Sequence, residues 1–210
     1  MLKKQLIIIG LGGHGKVVAD IAYKMDNWEE IVFLDDAIDR IFDPRFKVIG
    51  KIDDAIKYND YADFVVAIGD NTTRQIVQER LDVLNCKLAT IIHPSSIIGT
   101  DVLINVGSVI MGGVVINSSA RIGKGCIINT SSSVDHDSII GDYVHISPGS
   151  HLGGGVIIGK KSWLGIGSTV INSITICDNC LIGAGSVVIN NLDKSGIYVG
   201  VPAEYKKSYD

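Results

Sequence analysis

Two different hydrophobic periods divide the chain of 210 residues. From Lys4 to about Ile92, short apolar runs alternate with amphipathic segments. The runs typical of buried strands are QLIIIG, EIVFLDD, ADFVVAIGD and KLATIIH, and the segments with helical spacing are HGKVVADIAYKM, IDDAIKY and TTRQIVQERLDVLN. Because strands and helices alternate, this half predicts a parallel sheet with crossover helices.

The second half has a period of six residues. An Ile, Leu or Val occupies positions 98, 104, 110, 116, 122, 128, 134, 140, 146, 152, 158, 164, 170, 176, 182 and 188. Four residues later the side chain is mostly small, as at Ser108, Ala120, Cys126, Ser132, Ser138, Ser150, Ser162, Ser168, Cys180 and Ser186. This period predicts a coil of short strands whose aliphatic side chains fill the interior. A low-complexity segment in a loose sandwich does not explain so long an unbroken series.

Composition narrows the classes of partner. The net charge is -4 and the sequence pI is about 5.7, so the chain lacks the basic balance of a nucleic-acid binder. Mean hydropathy is +0.30, yet the apolar runs are far shorter than the roughly 20 residues of a membrane span. The first residues, MLKKQLIIIGLGG, do not have the pattern of a signal peptide. We therefore expect a cytoplasmic protein with a small or nucleotide-linked ligand and no membrane partner.

Four cysteines, Cys86, Cys126, Cys177 and Cys180, are too few and too scattered for a disulfide framework, and we expect them to be reduced. Cys177 and Cys180 form a C-x-x-C, which raises the question of redox or zinc chemistry. Cys180 falls in the inward small positions and Cys177 does not, so the six-residue period predicts that the two side chains diverge. We expect no metal site.

A glycine-rich turn follows the first predicted strand. GLGGHG, residues 10–15, matches G-x-G-x-x-G before a helix, and Asp35 ends the second strand about 20 residues later. This pattern alone favours a dinucleotide site, and an NAD-dependent oxidoreductase is one hypothesis. The half that contains it is small, however, and leaves no separate domain for hydride transfer. We assign Gly10 and Gly15 to tight turning and helix packing.

His136 lies between Asp135 and Asp137 and two residues after the inward Val134, so its side chain is predicted to face outward. A neighbouring carboxylate stabilises imidazolium, raises the basicity of the ring and can orient it. His136 is therefore a candidate general base.

Several segments together resemble one enzyme family. INTSSSVDHD, GDYVHIS, FLDD, AIGDN and VGVPA are similar to segments of the bacterial sugar O- and N-acetyltransferases of the sialic acid O-acetyltransferase type, which are hexapeptide-repeat acyltransferases. The similarity covers nearly the whole chain and is strongest to the branch that acetylates the 4-amino group of UDP-linked amino sugars. The resemblance implies a Rossmann-like α/β domain, residues 1–92, and then a left-handed parallel β-helix with a short C-terminal tail, residues 93–210.

The resemblance also implies roles for individual residues. His136 takes the position of the general base, and Asp137 takes that of a supporting carboxylate, which is often Glu in the family. The residues implied to contact acetyl-CoA are His145, Gly154, Ile166 and Ala184. Those implied to bind the nucleotide-linked amino sugar are Gly12, Gly13, His14, Asp35, Asp36 and Gly69. Members of the family are trimers with the active site between neighbouring β-helices, so we expect a homotrimer.

The predicted activity is N-acetylation of a nucleotide-linked amino sugar by direct attack on the acetyl-CoA thioester, in bacterial glycan biosynthesis. The backbone N–H groups of Gly153 to Gly155 are candidate donors to the developing oxyanion. Three alternatives stay open: sugar O-acetylation, the NAD-dependent oxidoreductase, and a non-catalytic nucleotide-binding scaffold. The choice among UDP, GDP and CMP is open as well.

Overall fold

A computed structural model describes residues 3–37 and 47–209 of the chain. It divides into two compact units, Met1–Pro94 and Ser95–Asp210, so the boundary lies two residues beyond the predicted one. The predicted fold class, an α/β domain followed by a parallel β-helix of hexapeptide repeats, is confirmed.

The N-terminal unit is built on a parallel sheet. Its elements are β1 (Lys3–Ile9), α1 (Gly13–Met25), β2 (Trp28–Leu34), β3 (Val48–Gly50), a 3-10 helix (Ile52–Tyr58), β4 (Ala62–Val66), α2 (Asn71–Val83) and β5 (Ile91–Ile92). The strand order is β3-β2-β1-β4, with every pairing parallel. The predicted strand KLATIIH is reduced to a parallel bridge between Leu88 and Phe64 followed by β5. Strand β3 was not predicted, because three half-buried residues are too few to show a period.

The core of this unit lies against both faces of the sheet. Alternate residues of the central strands, such as Ile7, Val32 and Phe64, pack with Leu81 of α2 in one buried cluster. The strands are apolar on both faces, as expected for a parallel sheet covered on both sides.

The C-terminal unit is a parallel β-helix of short strands. They are β6 (Ile97–Ile98), β7 (Leu103–Ile104), β8 (Val109–Ile110), β9 (Val115–Ile116), β10 (Arg121–Ile122), β11 (Ile127–Ile128), β12 (Ser133–Val134), β13 (Ile139–Ile140), β14 (His145–Ile146), β15 (His151–Leu152), β16 (Ile157–Ile158), β17 (Trp163–Leu164), β18 (Thr169–Val170), β19 (Thr175–Ile176), β20 (Cys180–Ile182), β21 (Val187–Val188), β22 (Gly196–Val199) and β23 (Glu204–Lys207).

Every third strand of the β-helix belongs to the same sheet. Sheet 1 contains β6, β9, β12, β15, β18 and β21; sheet 2 contains β7, β10, β13, β16 and β19; sheet 3 contains β8, β11, β14, β17, β20 and β22. Strand β23 pairs antiparallel with β22. Ile122 pairs with Ile140, so one coil takes three six-residue repeats.

The six-residue period sets what each position does. From Ile110 to Val188 the aliphatic series is at most 2 % exposed, whereas Ile98 in the first coil is 38 % exposed. The small residues at the predicted inward positions are also buried, and several connect coils. Ser108 Oγ, for example, donates to the Gly123 carbonyl and accepts from the Cys126 N–H. The buried serines thus satisfy backbone groups that the short strands leave unpaired.

The turns of the β-helix repeat a left-handed backbone conformation every sixth residue. Its occupants are Asp101, Gly107, Gly113, Ser119, Gly125, Ser131, Asp137, Tyr143, Gly149, Gly155, Lys161, Gly167, Ser173, Asn179 and Gly185. Glycine is needed for a different reason just after many inward aliphatics. A Cβ on Gly123 would come within 2.7 Å of the Asp142 nitrogen in the next coil.

Candidate active site

The six residues predicted to bind substrate lie around one cavity in the N-terminal unit. Gly12, Gly13, His14, Asp35, Asp36 and Gly69 line a cavity of about 410 Å³ together with Gly10, Ile52, Ala67 and Ile68. The cavity lies at the carboxyl ends of β1, β2 and β4. These ends meet at one edge of the sheet because the strands are parallel.

The four glycines of the turn have different roles. Gly10 has a φ of 99°, and a Cβ on Gly15 would collide with the Gly10 carbonyl oxygen. These two glycines therefore serve turning and close packing, as the sequence predicted. A Cβ on Gly12 or Gly13 would meet no atom of the described residues within 4 Å. Local packing does not require glycine at these two positions, which leaves the backbone open to a ligand.

The N-terminus of α1 is open to an acceptor. Its N-cap, Gly12, provides no side-chain cap, and the first turn has no acidic residue. By contrast, Asp70 caps α2 by accepting from the Thr73 N–H at 2.8 Å. Uncapped N–H groups and the positive end of the helix dipole favour an anionic group at the N-terminus of α1.

The two aspartates after β2 are bonded to backbone N–H groups. Asp35 accepts from the Leu11 N–H at 2.6 Å and from the Ala37 N–H at 2.7 Å, so it connects the glycine turn to the loop after β2. Asp36 accepts through Oδ1 from the Ile52 N–H at 3.1 Å. Asp35 thus shapes the cavity, and the exposed Asp36 has more capacity left for a ligand.

His14 is the titratable group whose environment differs most from water in this cavity. Its Nε2 is buried and has no hydrogen-bond partner among the described residues. Burial, and then the positive charge of Arg74, lower the pKa of His14 to about 4. The imidazole is therefore neutral near pH 7 and offers an unused ring nitrogen to the cavity.

His136 projects from a corner of the β-helix between sheets 1 and 2. The ring Nδ1 of His136 lies 2.7 Å from Asp137 Oδ2, and the backbone N–H of His136 donates to Asp135 Oδ1 at 2.8 Å. Asp137 occupies the left-handed turn position, with a φ of 59°, which Asp tolerates better than most residues. The hydrogen bond to Asp137, followed by the charge of Asp135, raises the pKa of His136 above its ordinary value.

Gly154 lies one coil beyond His136, at the same corner. A Cβ on Gly154 would come within 2.5 Å of His136 Nε2. The absence of a side chain at Gly154 therefore makes room for the imidazole. Of the three glycines proposed as oxyanion donors, Gly153 and Gly155 already donate to the carbonyls of Val170 and His136. Gly154 is the remaining candidate donor of this group.

His145 lies on a different side of the β-helix from His136. It faces outward on β14 in sheet 3, where its ring stacks on Trp163 with a centroid distance of 5.5 Å. Asn129 Nδ2 lies 3.1 Å from His145 Nε2. Ile166 and Ala184 are exposed at the corner between sheets 3 and 1. One chain therefore groups His136 with Gly154, but does not bring them to His145.

Three residues of these sites were missed from the sequence. Asn117 donates to Asp135 Oδ1 at 2.7 Å, and Trp163 stacks on His145. Both lie one coil away from their partners, so the 18-residue register was a usable signal. Arg74 gave no comparable signal, because its relation to His14 depends on how α2 packs.

The prediction that Cys177 and Cys180 diverge is wrong. Their Sγ atoms lie 3.6 Å apart, because the tight turn through Asn179 brings both side chains to one side. All four cysteines have free thiols. Among the described residues, no group of three or more His, Cys, Asp or Glu side chains is arranged to hold a metal ion. The helices described for this chain include none that is long and apolar enough to cross a membrane.

Comparison with known proteins connects both units to one family. The model of the PglD N-terminal domain matches residues 5–81, and the model of the bacterial transferase hexapeptide matches 119–154 and 155–190. The acetyltransferase domain of PglB from Neisseria gonorrhoeae is 35% identical, with 97% of this chain and 100% of that chain covered and a TM-score of 0.93. The chain belongs to this acetyltransferase family. The resemblance inferred from the sequence is thus confirmed.

Other members of the acetyltransferase family add information about ligands. The same Neisseria domain has been solved in complex with acetyl coenzyme A. A histidine-to-asparagine mutant of perosamine N-acetyltransferase from Caulobacter crescentus, in complex with CoA and GDP-perosamine, is 34% identical, with 96% of each chain covered and a TM-score of 0.92. UDP-N-acetylbacillosamine N-acetyltransferase of Bacillus subtilis is 34% identical over 107 residues. That match spans 50% of this chain and 50% of the Bacillus protein.

The low pKa of His14 predicts a specific dependence of stability on pH. An unfolded His14 binds its proton near pH 6.5, whereas the folded protein does not until about pH 4. The unfolded state therefore gains protons first, and folding stability falls as pH decreases from about 6.5 to about 4. We expect His14→Gln to reduce this loss by at most about 3 kcal/mol. Thermal unfolding measured at a series of pH values gives this loss of stability, and His151→Gln, at an exposed histidine, is the control. If stability falls equally with pH in both variants, His14 does not have the lowered pKa.

Proposed function

We propose that the protein transfers the acetyl group of acetyl-CoA to an amino group, the 4-amino group by family resemblance, of a nucleotide-linked sugar, with His136 as general base. The observation that carries this proposal is the His136 geometry. Asp137 engages Nδ1, so Nε2 is the basic nitrogen, and the side chain of His136 is 58% exposed to solvent at the corner. The cavity around His14 would hold the nucleotide part of the sugar.

The chemistry needs few groups. The amine nitrogen attacks the thioester carbonyl carbon, and His136 Nε2 takes the proton that the nitrogen loses. Asp137 and Asp135 stabilise the resulting imidazolium. When the carbon–sulfur bond breaks, the CoA thiolate recovers a proton from His136, so no covalent enzyme intermediate is required. Membership of an acetyltransferase family argues against the oxidoreductase alternative.

We place the complete active site between two chains of a trimer. Within one chain His136 and His145 lie on different sides of the β-helix, so acetyl-CoA bound at His145 would react at the His136 of a neighbour. Sheet 2 also carries exposed apolar side chains, Leu103, Ile139 and Ile157, which suit burial against another chain. We propose that the protein works in the cytoplasm, where its free thiols stay reduced.

Replacing the base tests the proposal directly. We expect His136→Ala to lower kcat by about a hundredfold to ten-thousandfold, the usual contribution of general-base catalysis. The assay is CoA release from acetyl-CoA with UDP- and GDP-linked 4-amino sugars. His151→Ala, which removes another exposed histidine of sheet 1, should leave kcat within about threefold because His151 bonds to Ser133 and has no proposed role in the reaction. Full activity in His136→Ala would exclude the proposed base.

The pH dependence of kcat/KM tests the role of Asp137. His136 must be neutral to accept a proton, so the rate rises with pH through its raised pKa. In Asp137→Asn that pKa falls, and the acid limb should move to lower pH while the maximal rate drops. Asn also tolerates the left-handed turn. Asp101→Asn, at the same turn position two coils earlier, is the matched control. An unmoved acid limb in Asp137→Asn would show that Asp137 does not act on His136.

Mixed trimers test the location of the active site. Coexpressed His136→Ala and His145→Ala chains form interfaces in which one chain supplies His136 and its neighbour supplies His145. If the site lies between chains, purified mixed trimers should recover a measurable share of wild-type activity, although each variant alone has little. If the mixed trimers are as inactive as the two single variants, the active site uses His136 and His145 of the same chain.

A further inference from the structure

Arg74 is a buried cation near the start of α2. It is 1 % exposed. Asp70, which caps the helix, is an electrostatic partner of its guanidinium. A buried guanidinium is stable only where its N–H groups are hydrogen-bonded, so its acceptors show what it holds in place.

The guanidinium of Arg74 holds the loop that borders the substrate cavity. Nη1 donates to the carbonyl oxygens of Ile68 at 3.0 Å and Gly69 at 2.9 Å. Nη2 donates to Asn71 Oδ1 at 2.7 Å, which fixes the plane of the guanidinium. Ile68 and Gly69 themselves line the cavity. Arg74 therefore supports one wall of the cavity from within the unit.

The direction of these carbonyls determines the direction of the neighbouring N–H groups. In a trans peptide the C=O and N–H bonds point in opposite directions. Because the carbonyls of Ile68 and Gly69 point toward Arg74, the N–H groups of Gly69 and Asp70 point away from it. In the part of the chain that the structure describes, a Cβ on Gly69 would meet no atom within 4 Å, so the space beside this peptide is open.

We propose that Arg74 is a positioning residue for the nucleotide sugar: it holds the Ile68–Gly69 and Gly69–Asp70 peptides so that their N–H groups face oxygen atoms of the substrate. Arg74 does not touch the substrate in this arrangement. The proposal deepens the proposed function and rests on the nucleotide binding in this cavity. The positive charge of Arg74 also contributes to the lowered pKa of His14, so that His14 presents an uncharged ring to the same cavity.

Two substitutions separate charge from geometry. Arg74→Met removes both, and Arg74→Lys keeps the charge but not the planar fork that reaches three acceptors. The matched control is Arg80→Met, on the same helix, where the arginine is exposed and pairs with Asp53. Calorimetric titration of the whole chain with UDP, with GDP and with CMP gives Kd. Steady-state assays give KM for acetyl-CoA and for the 4-amino sugar of the better-bound nucleotide.

We expect both Arg74 variants to raise Kd for the nucleotide and KM for the sugar about tenfold or more, since misplaced hydrogen bonds lose most of their value. KM for acetyl-CoA and kcat at saturating sugar should stay within about threefold, and Arg80→Met should match the wild type. If Arg74→Met does not fold, Asn71→Ala, which frees the guanidinium plane, should raise the same two constants severalfold.

The outcomes distinguish this inference from the proposed function. Unchanged Kd and sugar KM in folded Arg74 variants would overturn the positioning role alone. A fall in kcat together with a rise in acetyl-CoA KM would indicate general damage and would also overturn it. A wild-type protein that acetylates sugars but binds none of UDP, GDP and CMP would overturn the nucleotide assignment of the cavity, and with it this inference.

Discussion

The hydrogen bonds between successive coils are the constraint on which the β-helix depends. Each short strand pairs with the strand 18 residues later, as Ile127 pairs with His145 and His145 with Trp163. A strand of two residues has no stability of its own, so the ladder and the buried aliphatic column must form together. The close stacking explains why glycine follows many inward aliphatics and why buried serines bond to the backbone of the next coil.

The same ladder gives the candidate base a rigid support. The Asp137 N–H donates to the Ser118 carbonyl in the preceding coil, and the His136 carbonyl accepts from the Gly155 N–H in the next. The backbone on both sides of His136 is therefore held, and only the side-chain torsions need further control. Asp137 supplies that control by its hydrogen bond to Nδ1 of His136, while Gly154 leaves space at Nε2 of the same ring. A site built in this way loses little entropy when it orients its base.

The two units place histidines in opposite electrostatic environments. His14 is buried near Arg74, and its pKa falls to about 4. His136 is exposed beside two carboxylates, and its pKa rises. A neutral His14 offers hydrogen bonding without charge, whereas His136 is suited to accept a proton and remain stable as imidazolium. Burial and neighbouring charge differ between the two units, so we propose that one residue type serves binding in one unit and proton transfer in the other.

The sequence by itself determined the features that repeat or that follow from local chemistry. The unbroken aliphatic series predicted the coils, the buried small residues and the outward His136, because a strict period leaves one arrangement that buries every aliphatic. The glycine turn and the aspartates after β2 similarly predicted a ligand site at the sheet edge. Tertiary structure alone decided the short strand β3, the approach of Cys177 to Cys180, and the burial of Arg74 near His14. Those features depend on contacts between distant segments and on exact turn geometry, which carry no period along the chain.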